Sequence, residues 1–265
     1  MSRFHAQKKG LTILCARKSW KKDLEREIDS PAKAIGAVNA FLSLLNRVEC
    51  RWQAAYGLGL CLPLMASGGM EPARVFMRRL MWSLNEESGN LGWGIPEAMG
   101  CILAASPALA DEYARIFISY GYETGKDDNF LDYGPLRQGV YWGIGRLAQA
   151  GSRHALPALP HLVNALGDQD GQICAYAAWA LQQLASRLPA QERVVAGVDA
   201  WQQAGKALRC EMDIRKGRGQ GSMPVEYFNG EAIVVESLEV LLTRALGQIN
   251  LEILHSKFAS GGQRD

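Results

Sequence analysis

The chain has 265 residues, 48% of them hydrophobic, and its 29 Lys and Arg stand against 27 Asp and Glu for a net charge of +2. That length makes one or two domains with ample apolar material for a core. The composition excludes collagen-like, wholly disordered and small disulfide-framework proteins, and the near balance of charge argues against a chain built mainly to coat nucleic acid.

Residues 1–30 are basic, with Lys8-Lys9, Arg17-Lys18 and Lys21-Lys22, and predict an N-terminal cap with one short helix over Trp20–Ile28. The apolar stretch Leu11–Ala16 is too short for a signal segment and is stopped by Arg17 and Lys18. No window reaches the length of a membrane span, so no membrane association is expected. Six cysteines (15, 50, 61, 101, 174 and 210) form no C-x-x-C pair, which speaks against zinc ribbons and dithiol redox sites. Buried, reduced thiols in a cytoplasmic protein are the expectation.

From residue 31 the chain alternates amphipathic helices with short Gly, Asp, Asn and Pro breaks. A first set of helices is expected over Ala32–Asn46, Glu71–Leu84, Pro107–Tyr120 and Ala155–Leu166. Pro31, Pro72 and Pro107 fall in first turns, where a missing N–H is harmless, and Ser30 and Ser106 stand as N-caps. Each is followed by a second helix, beginning at Arg51, Trp93, Arg137 and Cys174. Aligned on Gly59, Gly100, Gly145 and Gln182, these second helices recur 41, 45 and 37 residues apart. A period near forty with two helices per unit marks a helical solenoid. The second helices carry Ala54, Ala55, Gly57, Ala98, Gly100, Gly139, Gly143, Gly145, Ala175, Ala177 and Ala178. Glycine inside a helix costs about 1 kcal/mol against alanine, so its repetition predicts close helix–helix approach.

At this point the sequence resembles HEAT repeats, and specifically the HEAT-like units of phycobilisome lyases within the armadillo/HEAT superhelix class. The stretch Leu166-Gly-Asp-Gln-Asp-Gly-Gln-Ile-Cys-Ala-Tyr-Ala-Ala-Trp-Ala-Leu resembles that family's acidic turn followed by V-R-x-x-A-A-x-A-L, with Ile173 and Cys174 in place of Val-Arg; Arg51-Trp-Gln-Ala-Ala-Tyr-Gly-Leu-Gly keeps the arginine. The resemblance implies an all-α fold, a right-handed α-α superhelix of four to five HEAT-like pairs over residues 31–210. It is nearly silent on activity, because such repeats serve scaffolds and enzymes alike.

Residues 211–265 read as a C-terminal cap. A fifth first-type helix is expected over Ala190–Arg209, then a cationic, Gly-rich mobile loop from Arg215 to Ser222. Val225–Phe228, Asn229-Gly230 and Glu231–Val235 predict a small β-hairpin with a type I′ turn. An amphipathic capping helix over Ser237–Phe258 closes the solenoid.

The resemblance implies that the second helices line a concave face. Two outward rows then run across them: Trp52, Trp93, Gln138 and Ala175, and Tyr56, Glu97, Trp142 and Trp179, with Arg137 and Tyr176 alongside. One reading is packing between helices or against a terminal segment folded into the groove. The other is an aromatic-walled binding surface with one carboxylate, suited to a protein, a peptide, or a planar or cationic small ligand. Glu97, just after Pro96, also suits a helix N-terminus. The acids Glu86, Glu87, Asp127, Asp128 and Asp132 collect at one rim, where solvated loop carboxylates are the ordinary explanation and no metal is expected.

None of the histidines 5, 154, 161 and 255 precedes a Glu, which departs from the His-Glu iron pairs of HEAT-like hydroxylases. Similarity to HEAT-like alkylpurine DNA glycosylases would give Trp93, Trp142 and Trp179 a stacking role, Glu97 the developing positive charge and Arg137 a phosphate. The acidic rim opposes nucleic acid binding. Bilin-lyase-like tetrapyrrole binding is a further alternative that no residue pattern demands. The leading expectation is a non-catalytic binding or scaffold protein without cofactor, anchored on Trp52, Tyr56, Trp93, Glu97, Arg137, Trp142, Tyr176 and Trp179.

Overall fold

A computed structural model of the chain describes residues 3–85, 92–125 and 129–261, with side chains over residues 4–85, 92–125 and 129–255. The described residues form thirteen α-helices and a single two-stranded antiparallel sheet near the C-terminus. The fold is all-α apart from that hairpin, built of packed helix pairs. Two compact units, residues 1–117 and 118–265, divide the chain inside one helix.

The first unit contains α1 (Arg3–Cys15), α2 (Trp20–Glu27), α3 (Pro31–Leu44), α4 (Arg51–Ser67), α5 (Met70–Leu84), α6 (Ile95–Ala105) and most of α7 (Pro107–Ser119). α3 pairs with α4, α5 packs on α4 and α6, and α4 lies directly against α6. The stripe on α5 is the expected one, burying Ala73, Phe76, Met77, Leu80 and Leu84 at three- and four-residue steps. The small residues of α4 do what their spacing predicted. A Cβ on Gly57 would collide with the Phe41 ring, and one on Gly59 would stand 3.0 Å from the Cys101 Cβ. Ser106 caps α7, its Oγ accepting from the Leu109 N–H at 3.4 Å. Ser30 holds the N-cap position of α3 but its side chain makes no capping bond.

One element in this unit escaped the sequence. Residues 1–30 hold two helices, because α1 precedes the expected α2 and packs on α3. Its buried side chains include Leu11 and Cys15, too few to stamp a clear period on a Lys-rich segment.

The second unit contains α8 (Gly134–Gln149), a 3-10 segment (Arg153–Ala158), α9 (Leu159–Ala165), α10 (Gly171–Arg187), α11 (Ala190–Val195), α12 (Val198–Gly217), β1 (Pro224–Phe228), β2 (Ile233–Ser237) and α13 (Leu238–Gly261). α10 is central, packed on α8, α9 and α13, while α12 runs beside α9 and α13. The acidic turn before α10 is a capping device. Asp170 Oδ1 accepts from the Gln172 N–H at 2.9 Å, and Asp168 Oδ1 accepts from the Asp170 N–H at 2.8 Å. Gly145 brings α8 onto α10, since a Cβ there would enter the Trp179 ring and lie 3.2 Å from the Ala180 Cα.

Four expectations are corrected here. The helix expected over Ala155–Leu166 is a 3-10 segment followed by a short α-helix, because Pro157 and Pro160 each remove an N–H and crowd the preceding turn. The helix expected over Ala190–Arg209 breaks at Gly197, whose φ of 77° no helix accommodates. α12 then runs on to Gly217, so the first part of the supposed mobile basic loop is helical. Arg215 is buried there, held by the Glu211 carboxylate, the Asp168 carbonyl and Gln220 Oε1. The hairpin register pairs Phe228 with Ile233, which leaves a four-residue loop instead of a two-residue turn. Asn229 forces this: its side-chain oxygen accepts from both Glu231 N–H and Ala232 N–H at 2.9 Å.

Candidate functional site

In the first unit, Trp52 and Tyr56 lie one turn apart on α4, whereas Trp93 stands in the turn before α6 and Glu97 in its first turn. The expected one-helix pairing of Trp93 with Glu97 therefore does not form. Gly94 separates them at φ 74°, and a Cβ there would press on the Leu45 carbonyl oxygen at 3.2 Å and on Arg51 Cγ at 3.1 Å. This tight turn sets the Trp93 ring under Arg51, whose guanidinium carbon lies 5.6 Å from the ring centre. Arg51 Nε is buried without a hydrogen-bond partner, so the indole face is a main electrostatic partner on that side. Trp93 is half-buried and Trp52 is buried. Tyr56 is half-buried. Its hydroxyl lies 2.5 Å from Glu25 Oε1, to which it donates, and its ring meets Trp20 edge-on and Lys21 Nζ at 5.8 Å. α2 therefore covers part of this face.

Glu97 is 6% exposed. Burial pushes its carboxyl above the ordinary carboxylate range, while its own backbone N–H and the Arg51 charge pull in the other direction.

In the second unit, Trp142 on α8 is fully buried and Trp179 on α10 is 2% exposed. Their rings are parallel, 6.1 Å between centres, and Tyr227 of β1 tilts against Trp179 at 5.4 Å. The chain's own hairpin lies against these aromatics, as in the packing alternative in which a C-terminal segment folds onto the second helices, so Trp142 and Trp179 do not form an open binding surface. The hairpin is held by side chains and backbone together: Val225, Tyr227 and Phe228 are buried, Trp142 Nε1 donates to the Phe228 carbonyl at 3.1 Å, Tyr176 hydroxyl to the Glu226 carbonyl at 2.7 Å, and Gln149 Nε2 to the carbonyl of Asn229, just after β1, at 2.7 Å. Burial raises the Tyr227 phenol, and the adjacent Glu236 carboxylate raises it further.

Arg137 is engaged at the entry to α8. Its guanidinium donates to the carbonyls of Leu131 at 2.7 Å and Asp132 at 2.6 Å and lies 4.9 Å from the Phe130 ring centre. These bonds fix the loop leading into the helix and use donors that a phosphate would need. Of the acidic rim, Asp132 is exposed; Glu86, Glu87, Asp127 and Asp128 lie outside the described residues. Among the described residues, no group of three or more His, Cys, Asp and Glu side chains is arranged to hold a metal ion, and no helix is long and apolar enough to cross a membrane.

Sequence reasoning missed a trough of about 650 Å³ in the second unit. Leu156, Leu159 and Val163 form one wall, and Val195, Ala196 and Ala200 the other. It exists because α11 and α12 part at Gly197. The available signal was Val194-Val195 directly before a glycine, an apolar pair that a broken helix leaves exposed. His154 lines this trough, whereas His161 stacks on Tyr122 at 3.5 Å, so the two histidines do not share a site.

No family model matches the chain, and no curated protein sequence matches it. Designed proteins are among the similar solved structures. An engineered protein from a structural genomics consortium is 16% identical, covers 93% of this chain and 97% of its own, and has a TM-score of 0.46. A designed armadillo repeat protein is 13% identical over 91% of this chain and 99% of its own, at a TM-score of 0.45. Armadillo repeat proteins designed for modular peptide recognition are 13% identical over 87% and 92%, at 0.44. Paired helices at a spacing near forty residues, with small residues at their contacts, make this chain a helical-repeat protein.

Proposed function

We propose that the chain is a non-catalytic repeat protein that binds a protein or peptide partner in extended form along its inner-helix faces. One observation carries this reading: α8 and α10 already hold an extended segment, β1 and the first residue after it, by three side-chain donors aimed at the carbonyls of Glu226, Phe228 and Asn229. Recognition through carbonyls is tolerant of sequence, and an aromatic stack beneath it supplies apolar contact. In this reading Trp142, Tyr176 and Trp179 serve the resident strand, and Arg137 holds the loop that leads into α8. The repeat-equivalent positions in the first unit, Trp52, Tyr56, Trp93 and Glu97, serve the partner. Glu97 gives a preference for a Lys or Arg side chain, because a cation beside a buried carboxyl restores its ionised form.

The test is binding of the full chain to an array of extended peptides, followed by titration of the best binder against Trp93→Ala and Glu97→Gln. Loss of an anchoring aromatic removes about 2 kcal/mol, roughly 30-fold in Kd. Glu97→Gln should reduce the preference for Lys- and Arg-bearing peptides while leaving the melting midpoint unlowered. Variants that bind like the wild type, or a chain that binds no peptide, would refute the proposal.

A further inference from the structure

The hairpin leaves one strand edge open, and hydrogen-bond parity identifies the groups along it. In an antiparallel pair, successive residues turn their N–H and C=O alternately toward and away from the partner. The Glu226 and Phe228 carbonyls point to Tyr176 and Trp142, away from β2. Val225 and Tyr227 therefore face β2, opposite Glu236 and Val234, and Asn229 N–H donating to the Ala232 carbonyl at 3.0 Å continues the series. On β2 the same alternation turns Ile233, Val235 and Ser237 outward. The sheet has two strands, so among the described residues no strand pairs with this edge. Val235 is 63% exposed. The edge has no lysine, proline or bulge to discourage pairing. Its single charge, Glu236, is held by Arg244 at 2.7 Å and by the Tyr227 hydroxyl at 2.5 Å.

We propose that this edge is a self-association site, on which β2 of a second copy adds antiparallel about a two-fold axis through Val235. The register selects that occupant. With Val235 on the axis, Val235 faces Val235, Ile233 faces Ser237 and Val234 faces Glu236. All three outward residues meet outward residues; Val235 makes the full pair, and at each end the Ser237 N–H meets the Ile233 carbonyl, the Ser237 carbonyl being taken up by the start of α13, which Ser237 caps. The central pair is β-branched, which suits a cross-strand contact, and no carboxylate faces another. A one-residue slip sets outward groups against inward ones. A two-residue slip toward α13 places Glu236 opposite Glu236, and one the other way leaves Ser237 opposite Glu231, outside the strand. The product is a four-stranded sheet with closed two-fold symmetry. Such a short edge buries little area, so the dimer is weak and depends on concentration.

This inference does not rest on the peptide-binding reading. The experiment is sedimentation equilibrium of the full chain from micromolar to millimolar concentration, beside Val235→Pro, Val235→Lys and Val235→Thr. Val235→Pro removes an outward N–H and leaves the hairpin's own ladder intact. Val235→Lys sets like charges against each other on the axis. Both should raise the dimer dissociation constant by about tenfold or more with an unchanged melting midpoint, while the β-branched Val235→Thr keeps association. Hydrogen exchange at the Val235 and Ser237 amides should slow as the wild type is concentrated. A chain that stays monomeric throughout overturns the proposal. So does a dimer whose constant ignores both disruptive variants, or amides whose exchange is independent of concentration.

Discussion

Trp142 offers the sharpest test of how the second unit is held together. Trp142→Ala removes a fully buried indole that stacks on Trp179 and donates to the Phe228 carbonyl. Truncating a buried Trp to Ala costs about 3–5 kcal/mol through lost transfer energy and the cavity left behind. The orphaned carbonyl falls within that range, since leaving a buried acceptor unsatisfied costs about 1–3 kcal/mol. For a unit of this size each kcal/mol moves the midpoint by roughly 2–4 °C, so a fall of roughly 6–20 °C is expected. Trp142→Phe separates the contributions by keeping a ring and losing the donor; its loss should be near the hydrogen-bond portion alone. Thermal and urea unfolding followed by circular dichroism supply both numbers, and hydrogen exchange localises them. Amides of β1 should lose protection before those of α9. A Trp142→Ala variant less than about 1 kcal/mol below wild type, with β1 still protected, would refute the strand-anchoring argument.

Three further outcomes follow from the same packing. Gly145→Ala should destabilise by about 1–3 kcal/mol, because the new methyl enters the Trp179 ring, whereas Gly247→Ala on α13, with open space around its Cβ, should stabilise by up to about 1 kcal/mol in urea titrations. Arg215→Ala leaves Glu211 buried without its cation and should cost about 3–5 kcal/mol, read as a lower urea midpoint at unchanged slope. Glu97 carries a pH signature. Its folded carboxyl is raised by burial, so the folded chain retains a proton that the unfolded chain loses near about pH 4.3. That contribution is full below the unfolded value and is lost as pH rises through the folded one. Glu97→Gln should therefore match wild type in acid and become the more stable variant toward neutral pH, measured as melting midpoints across pH.

The cysteines show how burial and chemistry meet in this fold. Burial pushes the thiols of Cys15, Cys61 and Cys174 up to about 12, which keeps them protonated and poor nucleophiles at neutral pH. Their place on α1, α4 and α10 is therefore packing. Cys210, exposed on α12, differs from these.

What the sequence determined by itself was local and periodic. The forty-residue spacing, the proline starts, the Ser106 cap, the α5 stripe and the glycines of α4 and α8 could all be read from neighbouring residues, because helix formation and close helix contact depend on short-range pattern. The hairpin could be recognised for the same reason. Tertiary structure alone decided where that hairpin went. Nothing near Trp142 in the chain marks Phe228 as its partner, 86 residues away, and the outward row of a repeat looks the same whether solvent, a partner or the chain's own strand covers it. Arg215 makes the same point: a cationic, glycine-rich run reads as a solvated loop until a carboxylate one helical turn back and a carbonyl from the turn before α10 converge on it. Amphipathic pattern records that a face is covered, and only the folded chain supplies the identity of the cover.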